Sequence, residues 1–180
     1  MDAKDLAKIL LDNQDYQELI DALNLLENKK YEEFYKCYAN ILCDCMLFYS
    51  YDDFIDYLSE DVLDESIFVF GFLWLNKKCI IIGGYEERIQ RKINLFIESK
   101  VDNIDLTSFS TIDIFTDYDG DDNFMDYISQ LNQFIFPLNM KIVVFFDDIY
   151  YACAFHILVL NAEIAEIILN SWNDDSIHIE

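Results

Sequence analysis

Residues 66–75 read SIFVFGFLWL, a serine followed by nine residues without a single charge. A segment of this kind has no solvent face, so other parts of the chain must cover it on every side. Its content of Phe and Val predicts a central β-strand. The "NKK" that follows then turns the chain into a second strand, "CIIIGG". "YEERIQRKINLFIESK" is read as a helix with Ile89, Ile93, Phe96 and Ile97 inward. The order is strand, strand, helix.

A comparable unit closes the chain. "KIVVFF" and "YYACAFHILVL" are strands joined by a turn at "DDI", and "NAEIAEIILNSW" is a helix opened by Asn161 in a capping position. Between the two units lie a strand, "STIDIFT", and a helix from about Asn123 to Phe136, stopped by Pro137. Before residue 66 the apolar residues recur at helical spacing: Leu6, Ile9 and Leu10; Tyr16, Leu19, Ile20, Leu23 and Leu26; Tyr31, Phe34, Tyr35, Tyr38, Ile41 and Leu42; Phe54, Ile55 and Leu58. One proline and four glycines in 180 residues leave no flexible linker. The expectation is one α+β domain over 1–180. A helical layer, 1–65, packs on a mixed, largely antiparallel sheet with two strand-strand-helix units in 66–180.

The chain carries 35 acids against 12 Lys and Arg, a net charge of −23. Such a surface repels nucleic acid and anionic membranes and attracts cationic proteins. The acids are not spread evenly. Residues 1–65 hold 17 acids and 5 bases, residues 66–100 hold 3 and 6, and residues 101–180 hold 15 and 1. No secretory signal is read at the N-terminus, because "MDAKDLAKILLDNQD" mixes charges through what would have to be its apolar segment. The longest uncharged apolar stretch, Ile149 to Leu160, falls short of the roughly 20 residues a membrane helix needs. A cytoplasmic protein is expected, and its five cysteines are expected to be reduced and buried.

Motifs for catalysis are weak. Cys43 and Cys45 are two residues apart on a predicted helix, about 200° around its axis, and cannot share one ion. His156 and Cys153 have an odd spacing in a predicted strand and point to opposite faces, so His156 is read as a core histidine. "IIIGGYEER" lacks the glycine spacings and the lysine of phosphate-binding loops, and Glu86 and Glu87 suit the helix start themselves. No catalytic residue and no cofactor is assigned.

The richest acidic stretch is "TDYDGDDNFMD", Thr116 to Asp126. With Gly120 at the sixth position of an EF-hand loop, the first position falls on Phe115 and the last on Asp126 instead of Glu. The EF-hand is excluded, and no metal is assigned. A magnesium- or calcium-dependent enzyme using Asp113, Asp117 and Asp119 stays as an alternative. The simpler reading is a strand-to-helix turn at Asp119 and Gly120, with Asp121 or Asp122 as cap of a helix whose core side is Phe124, Tyr127, Ile128, Leu131, Phe134 and Ile135. One cap leaves the other aspartates unexplained. A surface for a basic partner uses them: Asp117, Asp119, Asp121, Asp122 and Asp126, with Tyr118 and Phe124 as apolar anchors. The rival surface is Asp52, Asp53 and Asp56, continued by Glu60 and Asp61.

In size, in charge and in lacking a catalytic motif, the chain resembles the immunity proteins of bacterial contact-dependent-inhibition and other polymorphic toxin systems. The resemblance implies a non-enzymatic cytosolic protein that binds and blocks a cognate, basic toxin domain, a nuclease among the candidates. DNA-mimicking anti-defence proteins of phages share the style and form a close variant.

Overall fold

The computed structural model describes residues 1–44, 50–59, 65–83, 89–106, 121–147, 154–173 and 177–179. It is an α+β protein that divides into two units, Met1–Lys78 and Cys79–Glu180.

The first unit consists of α1 (Ala3–Leu10), α2 (Asn13–Glu27), α3 (Tyr31–Asp44), α4 (Tyr51–Ser59) and α5 (Glu65–Leu75). Local chemistry sets the ends of these helices. Asp2 caps α1 in a reciprocal box with Asp5, and Asp12 caps α2 by accepting from the N–H groups of Gln14 and Asp15, both at 2.9 Å. Both α2 and α5 end on the same three letters, Asn-Lys-Lys. In each, the second lysine N–H reaches five residues back (Lys30 to the Leu25 carbonyl, Lys78 to the Leu73 carbonyl, both 2.8 Å). Lys29 and Lys77 take the left-handed conformation, both with φ of 56°. The preceding Asn28 and Asn76 return their side-chain amides to the Asn24 and Phe72 carbonyls.

The uncharged run is therefore a helix, not the central strand expected. Every residue from Ser66 to Leu73 is buried, a condition that a strand with both faces covered and a helix covered all round meet equally well. Within the unit, α1, α2 and α3 pack on α5, and Lys4 of α1 holds Glu65 in its first turn at 2.6 Å. That pairing is the leading reason the Lys4 ammonium is held above its ordinary pKa. The helical portion thus extends through residue 78, and the boundary expected at 65/66 moves with it. The first strand-strand-helix unit does not form.

The second unit contains β1 (Cys79–Gly83), α6 (Ile89–Glu98), α7 (Asp121–Ile135), a 3-10 turn (Phe136–Leu138), β2 (Met140–Asp147), β3 (Ala154–Asn161), α8 (Ala162–Ser171) and β4 (Ile177–Ile179). The strands lie in the order β1-β3-β2-β4, and every described pairing is antiparallel. The mixed sheet expected is not seen among the described residues, and the strand expected at 110–116 lies outside them. β4 was not expected at all. The second strand-strand-helix unit is present as β2, β3 and α8, with Asn161 accepting the Glu163 N–H at 2.9 Å as its cap.

Alternation gives each sheet face its own core. Ile80, Ile82, Ile142, Val144, Phe155, Ile157 and Val159 point to one side, where α6 and α7 contribute Ile93, Ile97, Tyr127, Ile128 and Leu131. Val143, Phe145, His156 and Leu158 point to the other, where the Trp172 ring beyond α8 meets Phe145 at 4.7 Å. Two residues read as core are exposed instead, Ile9 and Phe134, because each sits at the margin of its helix's apolar stripe.

Among the described residues, β4 pairs β2 along 145–147. Further down the same strand, the Asn132 side chain of α7 takes its place. Its amide donates to the Ile142 carbonyl at 3.1 Å, and its oxygen accepts the Ile142 N–H at 2.6 Å. Replacing Asn132 by Leu leaves two part-buried backbone groups without these bonds. A loss of about 1–3 kcal/mol is expected in urea unfolding; a change within about 0.5 kcal/mol would mean that the pairing carries no stability.

Candidate partner-binding surface

Of the two acidic surfaces read from the sequence, the one on α4 is described. Ser50 opens this helix, its hydroxyl oxygen accepting the Asp53 N–H and its carbonyl the Phe54 N–H, both at 3.2 Å. Phe54 is fully buried and stacks on Phe34 at 5.8 Å, with Phe68 edge-on to both rings. This anchor fixes the rotation of α4. Residues two before and two after Phe54 lie about 200° away around the axis, so Asp52 and Asp56 share the outer face with Asp53 beside them, and all three are exposed. The helix dipole favours Asp52 and Asp53 in the first turn. It does nothing for Asp56, one turn on from a like charge. No lysine or arginine occurs between Lys36 and Lys77, and among the described residues no ion pair involves Asp52 or Asp53. Glu60 and Asp61 lie outside the described residues.

Tyr51, the first residue of α4, borders a neighbouring cleft of about 480 Å³ that Lys29, Lys30, Tyr31, Glu32, Glu33 and Lys36 also line. Its ring meets Tyr35 edge-on at 5.3 Å and is itself exposed. Two of the three lysines here are answered within the cleft, Lys36 by Glu32 at 2.6 Å and Lys30 by Glu33 at 3.5 Å. Hydrogen bonding between Lys36 and Glu32 raises the pKa of the first and lowers that of the second. The cleft therefore keeps one surplus lysine, Lys29, whereas the outer face of α4 carries three aspartates. The sequence reading missed this cleft, although "NKKYEEFYK" concentrates three of the five bases in residues 1–65.

It also missed an acidic pair on α2. Glu18 and Asp21 are exposed, one turn apart, and both push the Tyr38 hydroxyl of α3 above its ordinary pKa, behind the larger effect of burial. Their spacing of three could have shown it.

The stretch 116–126 is only partly described. Asp117, Tyr118 and Asp119 lie outside the described residues, as do Asp113 and Gly120. Asp121 and Asp122 are the first two residues of α7, inside the helix and not at the cap position expected for one of them, and their side chains lie outside the description. Asp126 is exposed. Phe124 is corrected: it is buried, its ring 4.4 Å from that of Phe155. It belongs to the core side of α7 and cannot serve as a surface anchor.

Several chemistry-bearing side chains elsewhere are buried. His156 is buried, and burial pushes its pKa down to about 3, so the imidazole is neutral across the physiological range. Tyr127 donates to the Asn94 side-chain oxygen, and burial raises its hydroxyl to about 12. Cys79 is a buried free thiol, as expected, but Cys37 is exposed on α3. Among the described residues no group of three His, Cys, Asp or Glu side chains could hold a metal ion, and no helix is long and apolar enough to cross a membrane. No family model matches the chain, and no curated protein or solved structure matches it either.

Proposed function

We propose that this is an acidic binding protein that neutralises a basic effector, acting in the cytoplasm as the immunity protein of a cognate toxin. The observation that carries the reading is the outer face of α4. Three exposed aspartates are locked in orientation by a buried phenylalanine, on a stretch of chain that contains no base. Charges spaced along a fixed helix can stand where phosphates would lie in a cationic groove, and they steer a cationic partner into contact. Tyr51 at the edge supplies an aromatic surface of the kind that dominates binding energy at interfaces.

The test is a charge reversal. A labelled oligolysine is expected to associate with the triple variant Asp52→Lys, Asp53→Lys, Asp56→Lys at least about tenfold more slowly than with the parent at low salt, with a shallower dependence on ionic strength. Equal association rates, with equal salt dependence, would remove α4 from the interface. If the parent does not bind oligolysine at any salt concentration, the basic-partner reading itself fails.

A further inference from the structure

The second unit carries an apolar surface that its own fold leaves open. Phe136 and Leu138, in the 3-10 turn after α7, are 65% and 50% exposed, and Ile164 and Ile167 on α8 are 36% and 51% exposed. The two pairs lie on segments that the backbone brings side by side. The Asn139 carbonyl accepts the Ala162 N–H at 3.0 Å, and Met140 pairs with Asn161 at the end of the β2–β3 ladder. These bonds set the turn against the first turn of α8. Ile164 and Ile167, three residues apart, share one flank of that helix, between the buried side held by Ala165 and Ile168 and the outer side that carries Glu163 and Glu166. The turn is rigid: Pro137 restricts it, and Asn139, at φ 58°, closes it by donating to the Phe136 carbonyl at 2.9 Å. A surface ordered before contact loses little entropy on binding.

Charge decides what can cover it. Residues 101–180 contain 15 acids and a single base, Lys141. That base is already engaged, its ammonium 2.8 Å from Glu166 on α8. Glu163, on the same helix, is exposed. A second copy of the chain would bring an equal negative charge to the same face, and with a net −23 on each molecule that approach is opposed. An apolar patch with Glu163 exposed beside it, on a chain of net charge −23, is complementary to a helix with leucine-like residues on one side and lysine or arginine on the other.

We infer that the surface formed by Phe136, Leu138, Ile164 and Ile167 docks an amphipathic, cationic helical segment of a partner protein. The inference rests on the basic-partner reading above and adds to it an apolar component and a location on the second unit.

The experiment compares two labelled probes by fluorescence anisotropy at about 0.15 M salt: an amphipathic helical peptide of leucine and lysine, and an oligolysine of equal charge. The parent is expected to bind the amphipathic peptide roughly tenfold more tightly than the oligolysine. Leu138→Ser and Ile167→Ser, on two different elements, should each remove most of that advantage and leave oligolysine binding unchanged. Both positions are exposed, and unchanged unfolding midpoints certify the fold. Leu95→Ser, at an exposed leucine on α6, should change neither. Equal affinity for the two probes, or an advantage that survives both patch variants, overturns the inference while the basic-partner reading stands. An advantage lost in Leu95→Ser also overturns it, by moving the apolar contact to α6. So does a dimer in sedimentation that Leu138→Ser dissociates, which would make a second copy the occupant. If neither probe binds, the basic-partner reading fails with it.

Discussion

Phe54→Ala is expected to destabilise the protein by about 3–5 kcal/mol and to weaken oligolysine binding in the same step. Phe54 touches the rings of Tyr31, Phe34, Tyr35, Tyr51 and Phe68. Truncating it removes the filling of a cluster that draws on α3, α4 and α5 together. The surrounding rings are rigid and cannot close fully over the gap, which places the loss at the upper end of the range for core truncations. The coupling to binding follows from geometry. Among the residues of α4 whose side chains are described, Phe54 is the one fully buried, with Ile55 and Leu58 half-buried beside it, so it is the main constraint on which way Asp52, Asp53 and Asp56 face. Urea unfolding measures the first effect, and oligolysine association under folding conditions measures the second. Phe54→Leu, which keeps much of the volume, should restore most of the binding. A truncation that lowers stability without touching the association rate would show that the aspartates are held by something other than this anchor.

The second large effect is a pH dependence. The unfolded His156 imidazole titrates near 6.5, and the folded one near 3. Above pH 6.5 both states are neutral, and the group has no influence on stability. As the pH falls from 6.5 to 3, the unfolded chain takes up a proton that the folded chain refuses, so the native state loses about 1.4 kcal/mol per pH unit. Below pH 3 the loss levels off. Between pH 8 and 5 the parent should lose about 2 kcal/mol relative to His156→Leu. The many carboxylates are common to both proteins and drop out of the difference, and any packing that the leucine fails to reproduce adds a constant, not a slope. Parallel curves over that range would mean that the imidazole charges in the folded state.

How far the sequence disclosed this fold can be seen at α5. Its apolar run lacks a period because it is buried on all sides, and with no period the choice between strand and helix has to come from elsewhere. Two signals were available. The run is longer than most strands, and it ends on the Asn-Lys-Lys that also ends α2, a helix whose spacing is plain. Where a solvent face exists, as in α2, α6 and α7, the alternation of apolar and polar residues marks the helix and most of its core. It errs at Phe134, where the stripe meets the surface. β4 escaped because three residues near a terminus carry too little pattern, and what makes them a strand is the partner β2. The acidic face of α4 was legible because its buried Phe54 and its aspartates fall at opposite phases of one helical period. The cleft beside it was not, since its walls come from the end of α2, the start of α3 and the start of α4, which meet only in the folded chain.

The bonds between Asn132 and Ile142 have a consequence for what happens when this protein is made in quantity. β2 is a long apolar strand, and among the described residues β4 pairs with its far end alone. With the amide in place, the hydrogen-bonding groups of Ile142 are spoken for, and another molecule finds no footing there. Without it, the groups become the first rung of a template on which a second chain, in spite of its charge, can lay down a strand. One asparagine on a helix thus serves as a guard against polymerisation as well as a source of stability.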